Sequence, residues 1–261
     1  MTAEIIVQLI VSGLALGFIY ALVSIEYTII FNATGLLNFS HDKLIMLGAY
    51  VFAGQFVVRM GAAPVVAVIA TVATMFLFGV LVATGIFNPL RNMASPVFAV
   101  IGTVILGRIL TESARVIWGA TPFTVPGFLK GIVKVGNIVI PKANIAIILV
   151  SAIIVTALQV FFKTTKMGKA MRCVQQNKTA ATLMGINVTA NINLTIALSA
   201  VICSAIGIMV IPLFTIDLTI ANMIGLKGFA AGVIGGFGYL PGAIAGGIFI
   251  GILENLSTLV I

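Results

Sequence analysis

Few side chains in this sequence could do covalent chemistry. Its six carboxylates, Glu4, Glu26, Asp42, Glu112, Asp217 and Glu254, each stand alone, so no neighbouring pair offers general acid–base catalysis. One histidine, His41, and two separated cysteines, Cys173 and Cys203, make no recognisable zinc spacing. The cysteines fall in a basic loop and in an apolar run, so both are expected as reduced thiols rather than as a disulfide. No G-x-x-x-x-G-K-[ST] phosphate loop occurs, and the chain is not expected to hydrolyse ATP itself. Gly236-Phe237-Gly238 lacks the third glycine and the strand context of a dinucleotide site. No catalytic residue, metal or cofactor is therefore expected, and what remains is the chemistry of binding and passage.

Two features suit passage. Glu26 lies in an apolar run over residues 5–31. A carboxylate at the centre of a span costs roughly 2.5–3.5 kcal/mol unless it is neutralised or paired, whereas one near the surface is solvated. Residues 32–43, NATGLLNFSHDK, form a polar interruption between apolar stretches. Backbone of that kind persists at membrane depth only where protein or a watery cavity covers it, and the alternative is an ordinary capped loop. Ser40 can cap the helix that follows, with Asp42 in its first turn.

The elements that position these residues belong to a membrane. Of 261 residues, 61% are hydrophobic and 8% charged, with mean hydropathy +1.26; a soluble domain carries about 25% charged residues. Apolar runs of around 20 residues recur, and each can cross about 30 Å of hydrocarbon as a helix. Barrel strands would be shorter and half polar. The expected fold is an all-α polytopic membrane protein, a bundle of about 7–9 transmembrane segments with broken or re-entrant helices. The formal charge of +8 is spread over loops, which topology explains better than nucleic acid. The start, Met1-Thr2-Ala3-Glu4, has no basic n-region, so the first helix is expected to stay.

Along the chain, spans are expected over 5–31, from Ser40 to about Val58, and over 62–87, 97–118, 143–162 and 192–214. Asn88-Pro89 and a loop from Arg91 to Pro96 end the third, and Pro212 breaks the sixth. Gly13 and Gly17 form a small-xxx-small pair. Arg108, Glu112 and Arg115 share a helical face, near water or in a buried ion-pair cluster. The tail of 119–142, IVKVGNIVI, reads as a surface hairpin. In 215–239 the apolar pieces are too short to cross singly and are punctuated by Asp217 and Lys227, as in re-entrant segments. Gly228, Gly232 and Gly236, then Gly242 and Gly246, then Gly247 and Gly251, are spaced by four and mark close packing. Leu240-Pro241 opens a last span ending near Ile261.

The longest polar passage, residues 163–191, holds Lys163, Lys166, Lys169, Arg172 and Lys178 and no acid. An excess of bases places it in the cytoplasm; counting crossings back puts 119–142 and the N-terminus outside. Ala180, Ala181 and Met184 can share one face of a short helix, and Gly185 suits its left-handed cap. The passage is either a plain basic loop or a docking surface.

Three motifs, in order, resemble those of the permease subunits of bacterial branched-chain amino acid ABC transporters of the LivH type. The first is Gly35-Leu36-Leu37-Asn38-Phe39-Ser40-His41, followed by Met46-Leu47-Gly48-Ala49-Tyr50. The second runs through Thr165, Gly168, Ala170, Arg172, Asn177, Ala181, Gly185 and Ile186. The third is Gly228 to Gly238 (GFAAGVIGGFG) with Pro241-Gly242-Ala243. Pro89-Leu90-Arg91 adds to the likeness. The chain departs from that family at Glu26, usually small, at Asp42-Lys43, usually glycine and an acid, and at Cys173 and Gln176, usually alanine and glutamate.

The resemblance implies a single permease domain over 1–261, with 163–191 as its cytoplasmic coupling loop, in a bacterial inner membrane. Its partners would be a second permease subunit, homologous or identical, two cytoplasmic ATP-binding subunits, an extracytoplasmic substrate-binding protein and membrane lipid, with no nucleic acid. Gly168, Ala170, Arg172, Asn177, Ala181 and Gly185 would couple to the ATPases. Glu26, Asn38, Phe39, Ser40 and His41 would line the pathway. The departures add an expectation that Glu26 pairs with Lys43 or faces a substrate of unusual charge. From the residues alone, a stand-alone channel or ion-coupled carrier for a small polar solute stays open, as does a membrane scaffold.

Overall fold

The structure is a computed structural model, and it describes residues 3–91, 95–136 and 138–259. Helix α1 (Ala3–Thr34) is the axis of the bundle. It is apolar on nearly every face, as suits a helix enclosed over its second half, and Ala15, Ile19, Ala21, Leu22 and Val23 are fully buried. Around it stand α6 (Lys142–Thr164), α9 (Val188–Val210), α10 (Asn222–Ile234) and α11 (Leu240–Ser257). The short helix α2 (His41–Ala49) is buried between α9 and α5 (Pro96–Trp118), and α3 (Pro64–Val82) packs on α9 from outside. The basic passage folds into α7 (Lys166–Gln176) and α8 (Lys178–Leu183).

Six helical stretches among the described residues are long and apolar enough to cross a membrane: Glu4–Thr34, Pro64–Arg91, Val97–Trp118, Lys142–Thr164, Val188–Val210 and Leu240–Ser257. Two more segments enter the bundle between them. One is α2, which continues without a break into a π-helical stretch, Tyr50–Arg59; the other is α10. The expected hairpin forms from β1 (Ile132–Val135) and β2 (Ile138–Pro141), antiparallel, with Val133 opposite Ile140.

Glycine decides who packs on whom. A Cβ on Gly251 of α11 would lie 2.3 Å from the backbone of Gly17 on α1, and one on Gly13 would lie 2.9 Å from the Gly251 carbonyl. The two stripes read from the sequence therefore face each other. Likewise Gly48 and Gly207 bring α2 onto α9, and Gly79 brings α3 onto α9. In lipid, where burial alone does not drive helices together, this closeness supplies the packing.

Two expectations change, and one left open is decided. Asn88-Pro89 does not end its helix, which runs on through α4 (Asn88–Arg91). The π turn Ala83–Phe87 comes just before, and its wider winding makes room for a residue that lacks an amide and crowds the preceding turn. Ser40 sits at the N-cap of α2, but its hydroxyl donates to Asn38 Oδ1 at 2.6 Å and does not cap. Glu112 and Arg115 pair at 3.2 Å with both side chains more than half exposed, which excludes a buried cluster. Residues 92–94 of the expected loop, and Ile261 at the end of the last span, lie outside the described residues.

Candidate functional site

Two broken segments meet inside the bundle. Glu26 lies eight residues before the end of α1, about 12 Å in from that end at 1.5 Å per residue. His41, the first residue of α2, touches Glu26. Residues 35–40 therefore carry non-helical chain back from the end of α1 to that depth, where α2 starts and runs to the opposite side. The α10 segment mirrors this. Ile216 bridges to Phe123 on the far side of the bundle, and the chain then descends until α10 opens at Asn222, whose Oδ1 accepts from Lys43 Nζ. From there α10 runs towards the end of α1, with Phe229 against Tyr27 and Phe237 against Phe31. Two helix starts thus converge from opposite sides, the arrangement by which discontinuous helices build solute sites at the bilayer midplane.

Behind that meeting point lies a closed polar cluster. Glu26 and His41 are both fully buried, with His41 Nδ1 against Glu26 Oε2. Ser199 of α9 donates to Glu26 Oε1. Cys203, one turn further along α9, places Sγ 3.5 Å from His41 Nδ1. The Tyr27 ring covers the imidazole, with ring centroids 4.3 Å apart. Glu26 therefore does not pair with Lys43, which instead contacts Asp42 at 2.9 Å and Asn222. Sequence spacing gave no metal set, yet the fold brings a carboxylate, an imidazole and a thiol together, with ligand atoms all within 4.8 Å of one another.

The other expected pathway residues divide. Asn38 and Ser40 are buried, and Asn38 Oδ1 accepts from both the amide and the hydroxyl of Ser40. Phe39 turns outward, 43% exposed, and its amide donates to Thr103 Oγ1 at 3.1 Å. Beside it, Asp42 and Lys43 are partly exposed and opposite in charge. Gly225 and Gly107 leave room for these two side chains, since an added Cβ would lie 2.8 Å from Asp42 Cβ and 3.3 Å from Lys43 Cγ respectively. A second charged group escaped the sequence: Lys227 donates to Glu254 Oε1 at 2.5 Å, and Tyr20 donates to Glu254 Oε2 at 2.8 Å. Helical spacing could not reveal it, because α10 and α11 meet only through the fold. A cavity of about 670 Å³ between α3, α6 and α9 is lined by apolar residues such as Val72, Ile147 and Ile202, and holds no partner for a charged solute.

The basic passage folds as an elbow. Thr165 caps α7 by accepting from the Gly168 amide at 2.9 Å, and Asn177 caps α8 by accepting from the Ala180 amide at 3.0 Å. Gly168 lets α7 fold onto the end of α6, for a Cβ there would lie 2.3 Å from the Phe161 carbonyl. Gly185, at φ +79°, closes α8 in the left-handed cap read from the sequence. Ala170 is half-buried, and Arg172 and Asn177 are exposed. Ala181, however, is fully buried against its own chain, so it does not share an outward face with Ala180 and Met184. The outward knobs are Leu183, 84% exposed, and Met184, 80% exposed. Lys178 Nζ donates to the Thr34 carbonyl at 2.9 Å, binding the elbow to the end of α1. Burial, and to a lesser degree nearby Arg91, lowers the Lys178 pKa.

Comparisons with known proteins agree with this architecture. A family model described as branched-chain amino acid transport system / permease component matches residues 9–261. The chain is similar to the high-affinity branched-chain amino acid transport system permease protein LivH of Escherichia coli K12, at 30% identity over 96% of this chain and 85% of that one. It is also similar to BraD of Pseudomonas aeruginosa, described in the same words, at 29% identity over 95% of this chain and 84% of that one. A probable LivH from Methanocaldococcus jannaschii is 23% identical over 91% of this chain and 76% of that one. No solved structure matches the chain. Matched along nearly its whole length, and with six helices among its described residues long and apolar enough to cross a membrane, the chain belongs to the permease components of branched-chain amino acid transport systems.

Proposed function

We propose that this chain forms half of the translocation pathway of an ATP-driven importer for branched-chain or related amino acids, with a second permease, identical or homologous, forming the other half. Two cytoplasmic ATP-binding subunits drive the cycle, and an extracytoplasmic binding protein delivers the substrate. The elbow carries this reading. It is a capped pair of helices bearing Lys166, Lys169 and Arg172, with Leu183 and Met184 standing almost fully exposed. Large apolar side chains on a basic, water-facing element suit a partner's groove, and the basic charge supports a cytoplasmic side for it. Gly168, Ala170, Arg172, Asn177, Ala181 and Gly185 shape the elbow rather than all touching the ATPase.

Phe39, Asp42, Lys43 and Asn222 form the wall towards the pathway, and Glu26, Asn38, Ser40 and His41 hold that wall from behind. An amino acid is a zwitterion, and the Asp42–Lys43 pair has one partner for its ammonium and one for its carboxylate. Alternating access follows when ATPase closure moves the elbow and, through Lys178 and α1, the convergence of α2 and α10.

The test is uptake of labelled leucine into liposomes holding the permease pair, the ATPase pair and the binding protein. Uptake is expected to require ATP and to be lost in a Leu183→Asp, Met184→Asp double variant whose permease pair still assembles. Uptake by the chain alone without ATP would overturn the proposal. If that uptake followed a proton gradient and needed Glu26, an ion-coupled carrier would replace it; the buried Glu26–His41 pair favours that second reading.

A further inference from the structure

We infer that Glu26, His41 and Cys203 form a transition-metal site, suited to Zn2+, that clasps α1, α2 and α9 together inside the bundle. The donors come from three separate helices, all three residues are fully buried, and their ligand atoms lie within 4.8 Å of one another. Such convergence of the three donor types that zinc prefers, carboxylate oxygen, imidazole nitrogen and thiolate sulfur, is the first argument.

Proton bookkeeping is the second. His41 Nδ1 faces both Glu26 Oε2 and Cys203 Sγ. If Nδ1 carries a proton, it donates to the carboxylate and cannot accept from the thiol. If it carries a lone pair, it accepts from the thiol and offers the carboxylate no hydrogen. A single nitrogen cannot serve both neighbours with protons, so when Nδ1 donates to Glu26 the thiol is left to Ser199 beside it. A cation at the common centre serves all three at once. Binding through Nδ1 puts the imidazole proton on Nε2, which is buried and has no hydrogen-bond partner among the described residues.

Charge and hardness choose the ion. A divalent cation, one carboxylate, one thiolate and a neutral imidazole sum to zero, which a low-dielectric interior favours. Binding releases the thiol proton and any proton held between Glu26 and His41. Ca2+ and Mg2+ require six or more oxygen ligands or several waters, which this dry mixed set does not provide. Ser199, donating to Glu26 Oε1, orients the carboxylate from outside the ligand set.

The site is tested on the intact purified chain with its assembled partners, washed with a chelator and then offered Zn2+ or Co2+ alone. About one Zn2+ per chain is expected to remain after desalting. Co2+ should give visible d–d bands and a near-ultraviolet thiolate-to-cobalt band, and Zn2+ should abolish both. Cys203→Ser should remove the thiolate band, while Cys173→Ser leaves it unchanged. Ser199→Ala should weaken Zn2+ binding by about 10–100-fold. The wild-type spectrum decides even if Cys203→Ser does not fold. Absence of a thiolate band in the wild type, or its persistence in a folded Cys203→Ser protein, overturns the site. Neither readout depends on transport.

Discussion

At the scale of single residues, the sequence announced that Glu26 was out of place but not what held it there. Its position in an apolar run was legible because charge is rare in such runs. Its partners were not, since Ser199 stands 173 positions away and rotation about α1 decides whether Glu26 meets α2, α9 or lipid. The expected partner Lys43 was close in sequence, yet it turns to Asp42 and to Asn222 of α10. This assignment makes two contrasting predictions. Glu26→Gln keeps an acceptor for Ser199 but takes the carboxylate from His41, and leaving a buried polar group without its partner costs about 1–3 kcal/mol. A large fall in thermal stability of the detergent-solubilised protein is expected. A Glu26→Gln, His41→Gln double variant should lose less than the sum of its parts. Lys43→Met touches only a partly exposed pair, so its stability should stay within about 1 kcal/mol of wild type. Equal losses in Glu26→Gln and Lys43→Met would mean that Lys43 does hold Glu26.

At the scale of elements, glycine spacing foretold tight packing and the fold supplied the partners. The four-residue intervals on α1 and α11 were visible in the sequence, because small residues at that spacing line one helical face. That the two stripes would face each other depended on the intervening helices, which no local pattern encodes. Gly251→Val is expected to force α1 and α11 apart, since its Cβ would lie 2.3 Å from Gly17 backbone; overpacking of this kind costs about 1–3 kcal/mol or more. Gly85→Ala is the control. No atom lies within 4 Å of a Cβ there, and alanine is favoured over glycine in a helix by up to about 1 kcal/mol. Thermal unfolding should fall for the first and hold or rise for the second. Two element-level misreadings had local causes. Pro89 reads as a helix end because the π turn before it leaves no mark in composition. Ala181 was placed on an outward face because a six-residue helix has too few turns for periodicity to tell inside from outside.

At the scale of the whole molecule, α1 touches both ends of the proposed machine. Its end is held by Lys178 of the elbow, and its middle carries Glu26 beside the convergence of α2 and α10. A displacement of the elbow must therefore reach the broken helices either through α1 or through α9, which begins where the elbow ends. Lys178→Met separates these routes. The Thr34 carbonyl at the end of α1 loses its donor, while the outward knobs Leu183 and Met184 and the start of α9 are untouched. If α1 carries the motion, ATPase binding and basal ATP hydrolysis should persist while solute uptake per ATP falls. A coupling free energy of 1–3 kcal/mol corresponds to about 5–150-fold. Measuring uptake and hydrolysis on the same proteoliposomes yields that ratio directly. An unchanged ratio would assign the transmission to α9, whose Ser199 and Cys203 reach the same buried cluster from the other side.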